Sequence, residues 1–199
     1  MSSLLPGIQR VAVGACVRER LVHSGPVSKV HILKAFALAV LFATTSLAYA
    51  HAGTLAQPTG DIILTITGDV ANTNAEGAAR FDSAMLQAIA GRRTSTETPW
   101  AAGITVFEGP LLRKVLEAAG ADGKRLVVKA LNDYSSEVPI EDAQRYDTIL
   151  ALKMNGAAMT VRDKGPLFLI YPFDANRELY NEKYFSRSVW QIREIEVLD

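Results

Sequence analysis

The sequence has few of the residues on which most nucleophilic and metal-dependent mechanisms depend. It contains one cysteine, Cys16, and three histidines, of which only His51 lies beyond residue 50. A Ser-His-Asp or Cys-His mechanism in residues 51–199 therefore lacks its base or its nucleophile. Zinc and iron sites built from cysteine and histidine are unsupported for the same reason. The polar groups that remain for a site are carboxylates, arginines, lysines, amides and aromatic rings.

An apolar run long enough to cross a bilayer comfortably is also missing from the N-terminal part. The uncharged, mostly apolar run at residues 35–47 has 13 residues, follows Lys29 and Lys34, and ends at Ala48-Tyr49-Ala50. A positive flank, a short apolar segment and small residues before a cleavage point are the three parts of a secretory signal peptide. We interpret residues 1–50 as an N-terminal extension with a Sec-type signal peptide. This predicts a periplasmic protein without membrane insertion after cleavage; an uncleaved N-terminal anchor is the alternative.

No excess of positive charge is present. The chain has 21 basic and 21 acidic residues. Removal of residues 1–50 takes away five basic groups and one acidic group, which leaves 16 basic and 20 acidic residues. A mildly acidic domain without disulfides is a poor partner for nucleic acid, and 149 residues are enough to fold on core burial alone.

The pattern of apolar residues predicts one α+β domain at residues 61–199, after a flexible tether at residues 51–60. Asn155-Gly156 predicts a hairpin between residues 148–153 and 157–161, because a type I′ turn needs positive φ at both central residues. Further strands are predicted at 61–68, 125–131, 167–171 and 189–197, and helical segments at 81–89, 109–120 and 139–143. Residues 91–107 are polar and rich in structure breakers, and residues 180–185 are predicted as an aromatic loop.

Several polar and aromatic residues fall where loops leave the predicted strands, which is where sites are expected. The candidate ligand-binding residues are Trp100, Asn132, Asp133, Tyr134, Arg162, Lys164, Tyr171 and Arg187. Two basic groups beside an amide and a phenol predict a site for a small anionic ligand, held by charge-assisted hydrogen bonds. The alternative is structural: Asp133 caps a turn, Arg162 and Lys164 are solvated charges, and Trp100 belongs to the core.

A succession of short segments runs through residues 61–197. They are Gly68-Asp69-Val70, Phe81-Asp82, Thr98-Pro99-Trp100, Phe107-Glu108-Gly109-Pro110-Leu111-Leu112, Val115-Leu116, Ala119-Gly120, Ala130-Leu131-Asn132-Asp133-Tyr134, Val138-Pro139-Ile140, Ile149-Leu150-Ala151, Met154-Asn155-Gly156, Lys164-Gly165-Pro166-Leu167, Tyr171-Pro172 and Arg187-Ser188-Val189-Trp190. In this order they resemble the molybdopterin-binding domain of the sulfite-oxidase family of oxidoreductases, above all its short exported members. The resemblance implies a mixed β-sheet fold, a pterin dithiolene that carries molybdenum, one cysteine ligand, and basic residues around the cofactor phosphate.

The sequence departs from that pattern at the cofactor contacts. Residues 94–98 read Thr-Ser-Thr-Glu-Thr where the resemblance places the ligand cysteine, and a hydroxyl does not replace a thiolate as a soft metal ligand. Where the family pattern has a His-Gly pair, this sequence has Lys164-Gly165, and where the pattern has an arginine, it has Phe168. Residues 173–175 occupy the place of a glycine-rich segment. No twin-arginine leader is present for export of a cofactor-loaded enzyme.

These departures predict a domain with no cofactor and no metal, which binds a small ligand or a partner protein such as a membrane sensor. The alternative is an oxidoreductase that retains molybdopterin through Asn132, Arg162, Lys164 and Arg187 without the cysteine ligand. In that case the catalytic chemistry is that of the cofactor.

Overall fold

The computed structural model describes residues 55–199. The predicted signal peptide and the first part of the predicted tether, residues 51–54, lie outside the described residues. Among the residues described, no helix combines the length and the apolar character that a membrane span requires.

Strands dominate the fold. The strands are β1 (Ile62–Gly68), β2 (Ala79–Asp82), β3 (Gly91–Thr98), β4 (Ala101–Pro110), β5 (Arg125–Ala130), β6 (Ser135–Pro139), β7 (Ile149–Ala151), β8 (Lys153–Met154), β9 (Ala157–Ala158), β10 (Phe168–Ile170) and β11 (Ile192–Leu198). The helices are α1 (Ser83–Ala88), α2 (Leu112–Ala119), α3 (Ile140–Arg145) and α4 (Glu182–Arg187), with 3₁₀ turns at Val161–Asp163 and Arg177–Leu179. The α+β class predicted from the sequence is confirmed.

The strands form three sheets. The five-stranded sheet has the order β2-β1-β11-β5-β6, in which only the β1–β11 pair is parallel. The antiparallel sheets have the orders β3-β4-β8-β9 and β10-β7. Single bridges between Leu111 and Ile149 and between Phe168 and Trp190 connect the short strands to their surroundings. The sheets are therefore linked through β7 and β10. Strand β10 lies within the buried strand predicted at 167–171, whereas residues 149–151 of the predicted hairpin arm pair with β10 and leave only β8 and β9 to form the hairpin.

Helix α2 follows directly from the sequence pattern. Leu112, Val115, Leu116 and Ala119 recur at helical spacing, and all four are buried in the main core. Gly120 ends the helix with φ of 63°, the left-handed conformation that glycine adopts without a Cβ penalty.

Asp82 fixes the start of α1. One carboxylate oxygen accepts the Met85 N–H at 2.8 Å, as an N-cap does, and the other accepts the N–H groups of Thr59 and Gly60. The backbone hydrogen bonds from Met85 and Gly60 hold the pKa of Asp82 below its usual value. Residues 55–60, the described part of the predicted tether, are thereby attached to the end of β2.

Two segments that the sequence predicted to be irregular form regular structure instead. Residues 91–107 form most of the β3–β4 hairpin, because Thr94, Thr96 and Thr98 alternate as buried residues along one strand. Residues 180–185 contribute to helix α4, whose N-cap Asn181 accepts the Lys183 N–H at 3.0 Å. In both segments the local structure is determined by β-branched or capping side chains and not by a periodic pattern of apolar residues.

Candidate functional site

Both tryptophans of the chain line one cleft of about 320 Å³. Trp100 comes from the turn between β3 and β4, and Trp190 precedes β11. The lining residues are Trp100, Ala130, Asn132, Tyr134, Glu182, Phe185, Ser186, Ser188, Val189 and Trp190. The cleft is thus formed by two turns at strand ends and by α4 with the segment that follows it.

The wall around Trp100 is aromatic. Its ring lies edge-on to Phe168, Phe185 and Trp190 with centroid distances of 5.4, 5.7 and 6.0 Å. Such edge-to-face pairs each contribute about 0.5–1.5 kcal/mol beyond area burial. Phe168 is buried and also contacts Phe107 at 5.8 Å, so the cleft rests on a packed aromatic cluster.

Polar groups converge at the mouth of the cleft from the β5–β6 turn. The Tyr134 hydroxyl donates to the Ser186 carbonyl at 3.0 Å, and the Tyr134 N–H donates to Asn132 Oδ1 at 3.3 Å. Glu182 adds a carboxylate that makes no ion pair among residues 55–199. Asp133, which was also predicted to bind the ligand, does not line the cleft; it adopts φ of 65° and pairs with Arg193 at 3.1 Å.

The predicted basic residues stand apart from the lining. Lys164 lies over the Trp190 ring with its Nζ 5.5 Å from the centroid, a cation–π contact. Arg162 occupies the exposed 3₁₀ turn at Val161–Asp163. Neither residue lines the cleft, although Lys164 is adjacent to its Trp190 wall.

Tyr171 and Arg187 meet at a residue that the sequence analysis did not single out. The Tyr171 hydroxyl donates to Asp142 Oδ2 at 2.7 Å, and Arg187 Nη1 donates to the same oxygen at 2.8 Å. Tyr171 is fully buried, and this burial raises its pKa above the usual value, so it is a hydrogen-bond donor here. These two predicted ligand-binding residues therefore hold α4 against α3 and β10 rather than line the cleft.

Asp142 gives little indication of this role in the sequence. It lies in the first turn of α3, where an acidic residue usually interacts favourably with the helix dipole and remains solvated. Its two partners are 29 and 45 residues away along the chain. A long-range contact of this kind becomes visible only in the folded structure.

Comparison with protein families assigns the domain. The profile of the oxidoreductase molybdopterin binding domain matches residues 76–199, more than half of the chain. The chain belongs to the oxidoreductase molybdopterin-binding domain family. The comparison with curated proteins finds no match.

The residues of this family member do not fit a molybdenum cofactor that is ligated by a thiolate. The segment where the resemblance places the cysteine is strand β3, with threonine at its three buried positions. The position of the expected arginine holds Phe168, which is 1% exposed within the aromatic cluster. Residues 55–199 contain no group of three or more His, Cys, Asp or Glu side chains placed to hold a metal ion. The metal of such a cofactor would thus lack its thiolate donor, and the cofactor phosphate would lack the arginine that the family pattern supplies.

The threonines of β3 lead to a prediction about stability. The hydroxyl oxygens of Thr94 and Thr98 are buried and have no hydrogen-bond partner among the described residues. A buried hydroxyl without a partner costs about 1–3 kcal/mol of desolvation. We therefore expect Thr98→Val to raise the free energy of unfolding by about 1 kcal/mol, measured by urea denaturation.

Thr65→Val on β1 is the control, because Thr65 is only half-buried and its hydroxyl is not among the buried groups that lack a partner in residues 55–199. We expect that change to be close to neutral. A loss of stability in Thr98→Val would mean that the hydroxyl has a partner, such as a bound water, that keeps this part of the hairpin polar.

Proposed function

We propose that this member of the oxidoreductase molybdopterin-binding domain family is an exported binding protein without a molybdenum cofactor. It binds a small organic ligand in the cleft between Trp100 and Trp190. The observation that carries the proposal is an aromatic cleft in a chain that lacks the cysteine and the arginine that the resemblance implies. The proposed export rests on the pattern of residues 29–50.

The lining favours a planar ligand without negative charge. The edges and faces of Trp100, Phe185 and Trp190 accept a ring, and Asn132 offers an amide at its border. Glu182 is the one charged side chain in the lining, which disfavours an anion and favours a neutral or cationic group. A volume of about 320 Å³ is at the small end of ligand sites, so the ligand has one or two rings.

A small anion, as expected from the sequence, is the second candidate. Lys164 supports it, because its ammonium lies on the Trp190 ring and makes no ion pair among the residues described. The two candidates differ in the sign of the ligand's charge, which a matched series of compounds separates.

Tryptophan emission tests the proposal directly, since both tryptophans line the cleft. We expect benzamide and benzamidine, which are uncharged and cationic analogues of one shape, to shift the emission in a saturable way. Benzoate, the anionic analogue, should give no saturable shift. Saturation with benzoate alone would favour the second candidate, and no saturation with any of the three would contradict a cleft that binds planar ligands.

Two neighbouring substitutions provide the control. Asn132→Ala removes an amide from the lining and should weaken binding about tenfold, whereas Asp133→Asn alters a residue that faces away from the cleft and should not. Metal analysis completes the test. Stoichiometric molybdenum in protein purified from its own host would overturn the cofactor-free proposal and support the alternative of a retained molybdopterin.

A further inference from the structure

Strand β3 is an outer strand of its sheet, and one of its two edges is unpaired among the residues described. The sheet order β3-β4-β8-β9 gives it β4 as its only strand partner. Alternate residues of a strand direct their backbone groups to opposite sides. Val106 and Glu108, the β4 partners of Ser95 and Arg93, make their backbone hydrogen bonds to Asn155 and Leu152 on the far side of β4. The backbone groups of Arg93 and Ser95, and by the same alternation those of Glu97, therefore face away from β4.

The Glu97 carbonyl accepts the Thr96 hydroxyl at 3.1 Å, and no other hydrogen bond within residues 55–199 reaches these outward groups. No backbone hydrogen bond joins Arg93, Ser95 or Glu97 to another element of the described chain. An open groove of about 430 Å³ lies beside Ser95, Thr96 and Glu97 and has residues 173–180 as its far wall. The edge is thus accessible to another extended strand, which is the situation that proteins usually avoid or use for association.

The charges along this edge are complementary between two copies of the chain. Arg93 and Glu97 lie two residues before and two residues after Ser95. When two copies of β3 pair in antiparallel orientation about Ser95, Arg93 of each copy stands opposite Glu97 of the other. All three residues have outward-facing backbone groups, so the same register forms about six backbone hydrogen bonds. Cross-strand pairs of opposite charge stabilise a register, and like charges would oppose it.

The exposed residues beside the β3 edge also favour a second copy of the chain as the pairing strand. Ile104, which pairs with Glu97 across β3 and β4, is 70% exposed. Glu108 lies next to Arg93 on the other side, with 3.8 Å between Arg93 Nε and Glu108 Oε1. A second copy would therefore extend an alternating row of acidic and basic groups and cover part of an exposed isoleucine.

We propose that two copies of this chain associate through β3, with antiparallel pairing centred on Ser95, into one continuous eight-stranded sheet. The interface is isologous, as in most twofold dimers, and its two Arg93–Glu97 pairs set the register. This inference is independent of the ligand in the cleft, because none of the cleft residues belongs to β3.

Charge reversal with rescue tests the proposal by analytical ultracentrifugation of the full chain as it is isolated from expressing cells. The unchanged chain should be a dimer at micromolar concentration. Arg93→Glu and Glu97→Arg should each raise the dissociation constant at least about tenfold, because each places like charges opposite one another. The double variant Arg93→Glu/Glu97→Arg restores opposite charges and should recover the dimer.

Arg80→Glu is the matched control, since Arg80 is an exposed arginine on β2, the outer strand of the five-stranded sheet. It should leave the dimer intact. Circular dichroism confirms that each variant is folded, and hydrogen exchange at residues 93, 95 and 97 should be slower at high protein concentration. A monomer at all concentrations, or a dimer that none of the reversals weakens, would overturn the proposal. Exchange protection in a monomer would show that another segment of the same chain occupies the edge, which would also overturn it.

Discussion

Asp142→Ala should lower the free energy of unfolding by about 3–5 kcal/mol. The change leaves the Tyr171 hydroxyl without an acceptor and the Arg187 guanidinium without its carboxylate, and both groups lie largely out of water. Loss of one partner from a buried ion pair costs more than the pair itself contributes, because the remaining charge stays desolvated. Urea denaturation followed by far-ultraviolet circular dichroism measures the effect.

Asp147→Ala is the matched control. Asp147 also bridges two elements, with ion pairs to Arg92 at 3.2 Å and to Arg113 at 2.7 Å, but its side chain is 50% exposed. Exposed pairs contribute little, so we expect a loss below about 1 kcal/mol. If the two alanine variants lose the same stability, the Asp142 site is as well solvated as the Asp147 site and the account of a buried network is wrong.

A triple replacement separates the charge from the packing. Asp142→Leu, Tyr171→Phe and Arg187→Met together remove every polar group of the network and keep similar volumes. Buried ion pairs replaced in this way are often neutral or stabilising. We therefore expect the triple variant to be more stable than Asp142→Ala alone, although it carries more substitutions.

The network also bears on ligand binding at a distance. Arg187 is the last residue of α4, and the same helix contributes Glu182, Phe185 and Ser186 to the cleft. The Asp142 carboxylate thus fixes the position of one cleft wall, although Asp142 itself does not line the cleft. Variants of this network that remain folded should bind the probes more weakly, and Asp147→Ala should bind them as the unchanged chain does.

The parts of the fold that the sequence could predict are those with local causes. Helix α2 is determined by its apolar spacing and by Gly120, and the β8–β9 hairpin by Asn155 and Gly156, which both adopt positive φ. Strand β10 was predictable because a short run of consecutive apolar residues puts apolar side chains on both faces of a strand, and both faces must then be buried. In each case the residues that decide the structure are neighbours along the chain.

The β3–β4 hairpin and the Asp142 network have causes that are distant in sequence. Threonine and serine suit both loops and strands, so residues 91–98 become a strand only because β4 pairs with them. Trp100, Asn132 and Tyr134 were predicted and do line one cleft, since each follows or precedes a strand at the same side of the fold. Tyr171 and Arg187 were placed in the same prediction, but their partner could not be identified from spacing alone.

The substitution with the largest expected effect is Phe168→Arg, which restores the residue that the resemblance to molybdenum enzymes places here. Phe168 packs between Trp100, Phe107 and Trp190, with ring centroids 5.4, 5.8 and 6.0 Å away. An arginine at this position would lose that packing and bury a charge among aromatic rings. Removal of a buried phenylalanine alone costs about 3–5 kcal/mol, and an unpaired buried charge adds to it, so we expect the variant not to fold.

Phe168→Leu keeps the prediction testable when Phe168→Arg yields no soluble protein. It preserves an apolar side chain in the cluster and should lose about 1–2 kcal/mol, measured by thermal unfolding with tryptophan emission as a second reading. A folded Phe168→Arg variant with the stability of Phe168→Leu would mean that the cluster opens to solvent or to an anion. If instead the arginine abolishes folding and leucine is tolerated, the position where the resemblance implies an arginine is part of the hydrophobic core in this chain, next to the Trp100 and Trp190 walls of the cleft.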